Sequence, residues 1–178
     1  MSRIAPLTPP YPDDIQVAFD RIMPPGAPPL LLFRVMATSP RAWRKFSAAS
    51  LLDRGPLSLR AREIVINRTC ARAGCSYEWG VHVAVFAAAA KLTLDEIAAT
   101  AATPSPPIWA VPEQALVDTV DALHERATLT DTEYAALAAH YSNEQILEVM
   151  MLAGFYRTVA YIANGLALEQ EVGTESLK

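Results

Sequence analysis

Apolar residues recur three or four positions apart through most of the chain, the spacing of amphipathic helices, and proline and glycine mark where each run stops. Asp13 and Asp14 follow Pro12 and open a short run through Ile15, Ala18, Phe19 and Ile22. Residues 30–37 form a second short run. Ser39 followed by Pro40 is an N-cap with proline in the first turn, opening a helix over 41–52 with Trp43, Phe46 and Leu51 inward. Ser58 opens a longer helix over 59–73, and Gly74 stands where a left-handed C-cap belongs. The next helix covers 75–91. Three capping boxes follow: Thr93 with Glu96, Thr130 with Glu133 and Ser142 with Gln145. They open helices over 94–101, 131–140 and 142 to about 168, and Pro112 precedes one more over 113–126. Alternation with a period of two is absent, so no strand is predicted.

This pattern predicts an all-α, single-domain fold over 13–170. An extended proline-rich lead over 1–12 precedes it, and the tail over 171–178 is expected to fray. At 178 residues the chain can build a core without disulfides or metals. Composition adds an expectation about assembly. Hydrophobic residues make up 52% and charged residues only 19%, against about 25% charged in soluble domains. Part of the surface is therefore expected to be covered in a homo-oligomer. A net charge of −4 argues against a nucleic-acid partner. The first residues lack the apolar core of a signal peptide, and no long uninterrupted apolar stretch predicts a membrane span. A soluble, cytoplasmic protein acting on a small-molecule substrate is expected.

The chemistry concentrates between residues 63 and 82. Cys75, Glu78 and His82 are spaced to share one face of an otherwise apolar helix. Burying a carboxyl and an imidazole there without a use for them would cost desolvation energy. Alone, each has an ordinary reading: a small core thiol, a carboxylate near a helix start, a satisfied core histidine. Cys75 follows Gly74, so the helix dipole and free amides are expected to favour its thiolate, and a nearby imidazolium would favour it further. Glu63 lies on the preceding helix, and a hairpin turning at Gly74 can return it to His82, to orient or protonate the ring. Glu63, Cys75, Glu78 and His82 are the candidate catalytic set, expected to line one cavity. The stripe has a single histidine and fits zinc poorly, so no metal is expected, and no cofactor motif is present. Cys70 reads as core, and a disulfide to Cys75 would need strained geometry. His124 and His140 sit near helix ends. Met150, Met151, Phe155, Tyr156 and Tyr161 read as core or pocket wall, and Gly154 and Gly165 allow close helix approach.

Between about residues 57 and 100 the chain resembles the carboxymuconolactone decarboxylase superfamily, which includes the alkylhydroperoxidase D-like proteins. The resemblance rests on Ser58-Leu-Arg-Ala-Arg-Glu63, Cys75-Ser-Tyr-Glu-Trp-Gly-Val-His82 and Leu92-Thr-Leu-Asp-Glu-Ile97. It implies an all-α fold round an antiparallel helical hairpin and a homo-oligomer: a dimer, trimer or hexamer. The peroxidase branch carries a glutamate and then Cys-x-x-Cys-x-x-x-His, which correspond here to Glu63, Cys75, Glu78 and His82. Glu78 replaces the second cysteine, so that branch's intramolecular disulfide cycle cannot run. Tyr77-Glu78-Trp79 with His82 instead resembles a decarboxylase-like subgroup. The expected function is cofactor-free acid–base chemistry on a small carboxylate or lactone. One alternative is a thiol peroxidase in which a peroxide oxidises Cys75 and an external thiol reduces it. The other is a non-catalytic oligomer that binds a small molecule.

Overall fold

The computed structural model describes residues 2–177, and its regular structure there is entirely helical. The ends of the expected lead and tail, Met1 and Lys178, lie outside the described residues. In chain order the helices are α1 (Asp13–Ile22), α2 (Leu31–Met36), α3 (Pro40–Ser47), α4 (Leu59–Arg72), α5 (Ser76–Phe86), α6 (Leu94–Ala101), α7 (Val111–Arg126), α8 (Asp131–Ala138) and α9 (Asn143–Gly165).

Local signals set most of the boundaries. Ser39, Ser58, Thr93, Thr130 and Ser142 each accept a hydrogen bond from a first-turn amide, and the last three complete capping boxes. Gly74 adopts φ 62°. The Gly74 amide donates to the Ala71 carbonyl and the Cys75 amide to the Cys70 carbonyl, a Schellman close that reverses the chain from α4 into α5. Two predicted ends move inward by five residues. α3 stops at Ser47 instead of residue 52, because Ser47 Oγ turns back to the Trp43 carbonyl and Leu51 takes φ 47°. Regular α5 stops at Phe86. Residues 87–91 form a turn closed by Lys91 at φ 56°, with the Leu92 amide donating to the Ala87 carbonyl.

Helix α4 is the axis of the molecule and packs against α5, α6, α7 and α9. It is buried on nearly every side from Glu63 to Cys70, as a helix surrounded by other helices must be. Its arginines are committed to its neighbours. Arg68, fully buried, forms a two-pronged ion pair with Asp121 of α7 and also donates to the carbonyls of Thr100 and Ala102. Near the start of α4, Arg60 pairs with Glu96 and Glu113. These bonds tie α4 to α6 and α7 and fix the position of Glu63 between them and the hairpin. A second, smaller core of Ile15, Phe19, Ala37 and Trp43 holds α1 and α3 together through edge-on aromatic contacts.

Helix α9 is long and apolar enough, by length and composition, to cross a membrane. Here its buried face, including Val149, Leu152, Tyr156 and Val159, packs against α4 as a core helix. The segment after α9, where fraying was expected, folds back over α5. The Glu171 carboxylate accepts from the Tyr77 hydroxyl and the Leu31 amide. The Glu175 carbonyl lies so close to Gly80 that a Cβ there would come within 2.2 Å of it.

Candidate active site

The hairpin brings Glu63 of α4 against His82 of α5. Glu63 Oε2 is 2.7 Å from His82 Nδ1, and Glu63 Oε1 accepts from Arg62 Nε at 3.0 Å. One turn before His82, Glu78 places Oε1 3.5 Å from His82 Nε2. Both ring nitrogens therefore face a carboxylate. The ring plane is set by Tyr156 of α9, edge-on at 5.0 Å between centroids, and by Phe86 at 5.1 Å.

Burial is nearly complete, with Glu63 at 0%, His82 at 2% and Glu78 at 7% exposed. Burial alone would push the His82 pKa down, but the hydrogen bonds to Glu63 and Glu78 outweigh it and hold the pKa up at about 9. The ring is thus an imidazolium at neutral pH, clamped between two carboxyl groups. Glu78 Oε2 is buried and has no hydrogen-bond partner. A buried carboxyl oxygen left open is costly unless something else bonds it.

Cys75 departs from the expectation. It is the N-cap of α5, not part of its first turn, and is fully buried. Burial pushes its thiol pKa up to about 11; the Glu78 and Tyr77 amides lower it only in part, and the Glu78 carboxylate raises it further. The expected thiolate is therefore not favoured here, and the charge that acts on the sulfur is a carboxylate, not the imidazolium. Cys70, also fully buried, is held well above the usual thiol range, first by burial. Both cysteines are free, with no bond between them.

The hairpin thus gathers Glu63, Glu78 and His82 into one hydrogen-bonded cluster and leaves Cys75 at its edge as a protonated thiol. Two clefts of the surface lie elsewhere. One of about 390 Å³ is lined by Thr69, His124, Arg157 and Tyr161, and one of about 520 Å³ by Ser58, Arg60, Glu113 and Tyr141. Arg62 is the participant that periodicity missed. Its guanidinium binds Glu63, donates to the Leu52 carbonyl at 2.8 Å and lies 5.3 Å from the Phe86 ring centroid. Residues adjacent in a helix do not share a face, so no spacing argument pairs Arg62 with Glu63. Among the described residues, no group of three or more His, Cys, Asp or Glu side chains is arranged to hold a metal ion.

Comparison with known proteins follows the same lines. The carboxymuconolactone decarboxylase family matches residues 37–116, a span that contains the whole cluster from Glu63 to His82. No curated protein matches the chain in sequence. The fold is similar to that of an uncharacterized peroxidase-related protein from Ralstonia eutropha JMP134, described as an alkylhydroperoxidase AhpD core. That protein is 20% identical, with a TM-score of 0.85 over 96% of this chain and 93% of that one. A peroxidase-related protein from Silicibacter sp. TM1040 is 15% identical, with a TM-score of 0.84 over 96% of this chain and 92% of that one. The debrominase Bmp8, solved in complex with 2,3,4-tribromopyrrole, is 14% identical, with a TM-score of 0.77 over 97% of this chain and 93% of that one. The segment over residues 37–116 is thus similar to the carboxymuconolactone decarboxylase family, and the chain as a whole has an all-α, AhpD-like helical fold.

Proposed function

We propose that the chain is a cofactor-free acid–base enzyme that acts on a small carboxylate or lactone. The observation that supports this reading most is a charged imidazole whose two nitrogens face carboxylates, one of which keeps an open oxygen. A carboxylated substrate that loses CO2 leaves an electron pair on carbon, which must take up a proton. In this reading the Glu78 carboxylate takes a proton from His82 Nε2 and, as the neutral acid so formed, hands it to that carbon. Glu63, accepting from Nδ1, keeps the ring charged and oriented until that transfer. Arg62 holds Glu63 in turn. A general acid works best with a pKa near the working pH, and a value of about 9 leaves His82 loaded across the neutral range. Isomerisation of a lactone uses the same pair, with Glu78 removing a proton at one carbon and returning it at another.

The similarity to peroxidase-related proteins supports a second reading, with Cys75 as a peroxidatic thiol resolved by an external thiol. Against it stand a thiol pKa of about 11 and complete burial, since the thiolate is the reacting form. A panel of carboxylated lactones and β-keto acids, run in D2O, separates the two. Acid–base chemistry releases CO2 and places deuterium on the product carbon. That turnover is lost in Glu78→Gln and survives in Cys75→Ser. Hydroperoxide turnover that requires Cys75 and is indifferent to Glu78→Gln would overturn the proposal.

A further inference from the structure

Helix α9 buries one face against α4 and leaves a second face open that is as ordered as the first. Leu147, Met151, Gly154, Thr158, Tyr161 and Gly165 are all exposed and follow one another at alternating steps of four and three, the spacing of a coiled-coil seam. Leu147 is 65%, Met151 54% and Tyr161 64% exposed. No close packing within the chain calls for the two glycines, since a Cβ at Gly154 or Gly165 would meet nothing within 4 Å, although the Gly165 carbonyl accepts from Arg3 Nη1. Glycine is also among the poorest helix formers. A glycine at the middle of this 23-residue helix leaves room for a close approach from outside the chain.

The order of the six residues points to what approaches. Laid antiparallel to itself about an axis level with Tyr156, the stripe is self-complementary. Leu147 falls opposite Gly165, Met151 opposite Tyr161, and Gly154 opposite Thr158. Large meets small at the ends, and a thioether meets an aromatic ring, a favourable pair. The two smallest facing residues lie at the centre, where the backbones cross closest. Arg157, beside the axis, is turned away: it donates to Tyr161 Oη and His124 Nδ1 and stacks on the Tyr161 ring.

We propose that this face docks a second copy of the chain through a two-fold, antiparallel α9–α9 seam. The proposal does not depend on the reaction assigned to the buried cluster. Each large side chain leaves on the order of 100 Å² open. With the small positions between them, the stripe offers about 500 Å² per chain, or about 1,000 Å² for the pair, the lower limit for a specific interface. The seam also adjoins the cleft lined by Thr69, His124 and Arg157, because Gly154 and Tyr161 belong to both, so the second copy would roof that cleft.

The register is tested by cross-linking. Leu147 and Gly165 are about 27 Å apart along the helix at 1.5 Å per residue. The seam brings each beside the other in the partner, while the two Leu147 positions stay a full stripe apart. Under mild oxidation at tens of micromolar protein, a mixture of Leu147→Cys and Gly165→Cys chains should form disulfide-linked dimers, and Leu147→Cys alone should not. Sedimentation equilibrium should show a dimer for the unmodified chain. Met151→Glu should yield a monomer with unchanged helical content by circular dichroism. A monomeric unmodified chain, a dimer that persists in Met151→Glu, or cross-linking of Leu147→Cys alone would each overturn the proposal.

Discussion

His82 shows how two neighbours decide the state of one side chain. An isolated buried imidazole loses its charge, whereas this one keeps it because carboxylates stand at both nitrogens. The consequence for stability has a definite sign. The folded pKa of about 9 lies above the value of about 6.5 in the unfolded chain. The contribution of the charged ring is complete below about pH 6.5 and is lost as pH rises through about 9. Its size is on the order of a few kcal/mol. Thermal melts of the unmodified chain should therefore fall between pH 6.5 and 9 more steeply than those of His82→Gln. Parallel curves would show that the ring does not titrate there. Cys75 carries the opposite prediction. With its thiol pushed up to about 11, alkylation by iodoacetamide at neutral pH should be far slower than for a free thiol, about 8.5 in pKa, and should accelerate only in strongly alkaline buffer. Rapid labelling at neutral pH would restore the thiolate expected from the helix dipole. That expectation weighed the dipole and left out burial, which is the largest effect on the sulfur. The approach of Glu63 to His82, by contrast, was legible, because it needed only a helical hairpin and a turn at Gly74.

At the level of elements, the chain announces its helix starts and hides what crosses between them. Ser39, Ser58, Thr93, Thr130 and Ser142 cap locally, within three residues, so their roles can be read directly. Gly74 is equally legible. Gly74→Ala meets no steric obstacle but must adopt φ 62°, so it should cost about 1 kcal/mol and lower the melting temperature by about 2–4 °C. The docking of the tail was not legible, because the Tyr77–Glu171 contact spans 94 positions and has no periodic signal. Gly80 is where this contact can be broken without touching the site. A Cβ at Gly80 would collide with the Glu175 carbonyl at 2.2 Å, so Gly80→Ala should lift the segment after residue 170. Hydrogen exchange there should rise, while α4 keeps its protection. Unchanged exchange in both would mean that the segment does not rest on α5.

Across the whole molecule, α4 joins the structural and the chemical halves. The face that carries Arg68 locks α6 and α7 in place through Asp121 and the Thr100 and Ala102 carbonyls. One turn earlier, Glu63 holds the ring of His82. The geometry of the cluster is thereby inherited from the rigid centre of the fold, not from loops. That is why the superfamily architecture could be expected from the chain, while the identity of the reacting group could not. The sequence shows that Glu78 stands where a cysteine could stand, but only the assembled fold leaves its Oε2 without a partner. The proposed reaction rests on a charged His82, held between Glu63 and Glu78, as its proton reservoir. Nitrogen-15 NMR of the histidine side chains across the alkaline range tests it most directly. The His82 ring should be protonated on both nitrogens at neutral pH and titrate with a midpoint near 9, with a midpoint well below that in Glu63→Gln. A His82 ring that is neutral at pH about 7, or one that titrates identically in Glu63→Gln, would contradict it.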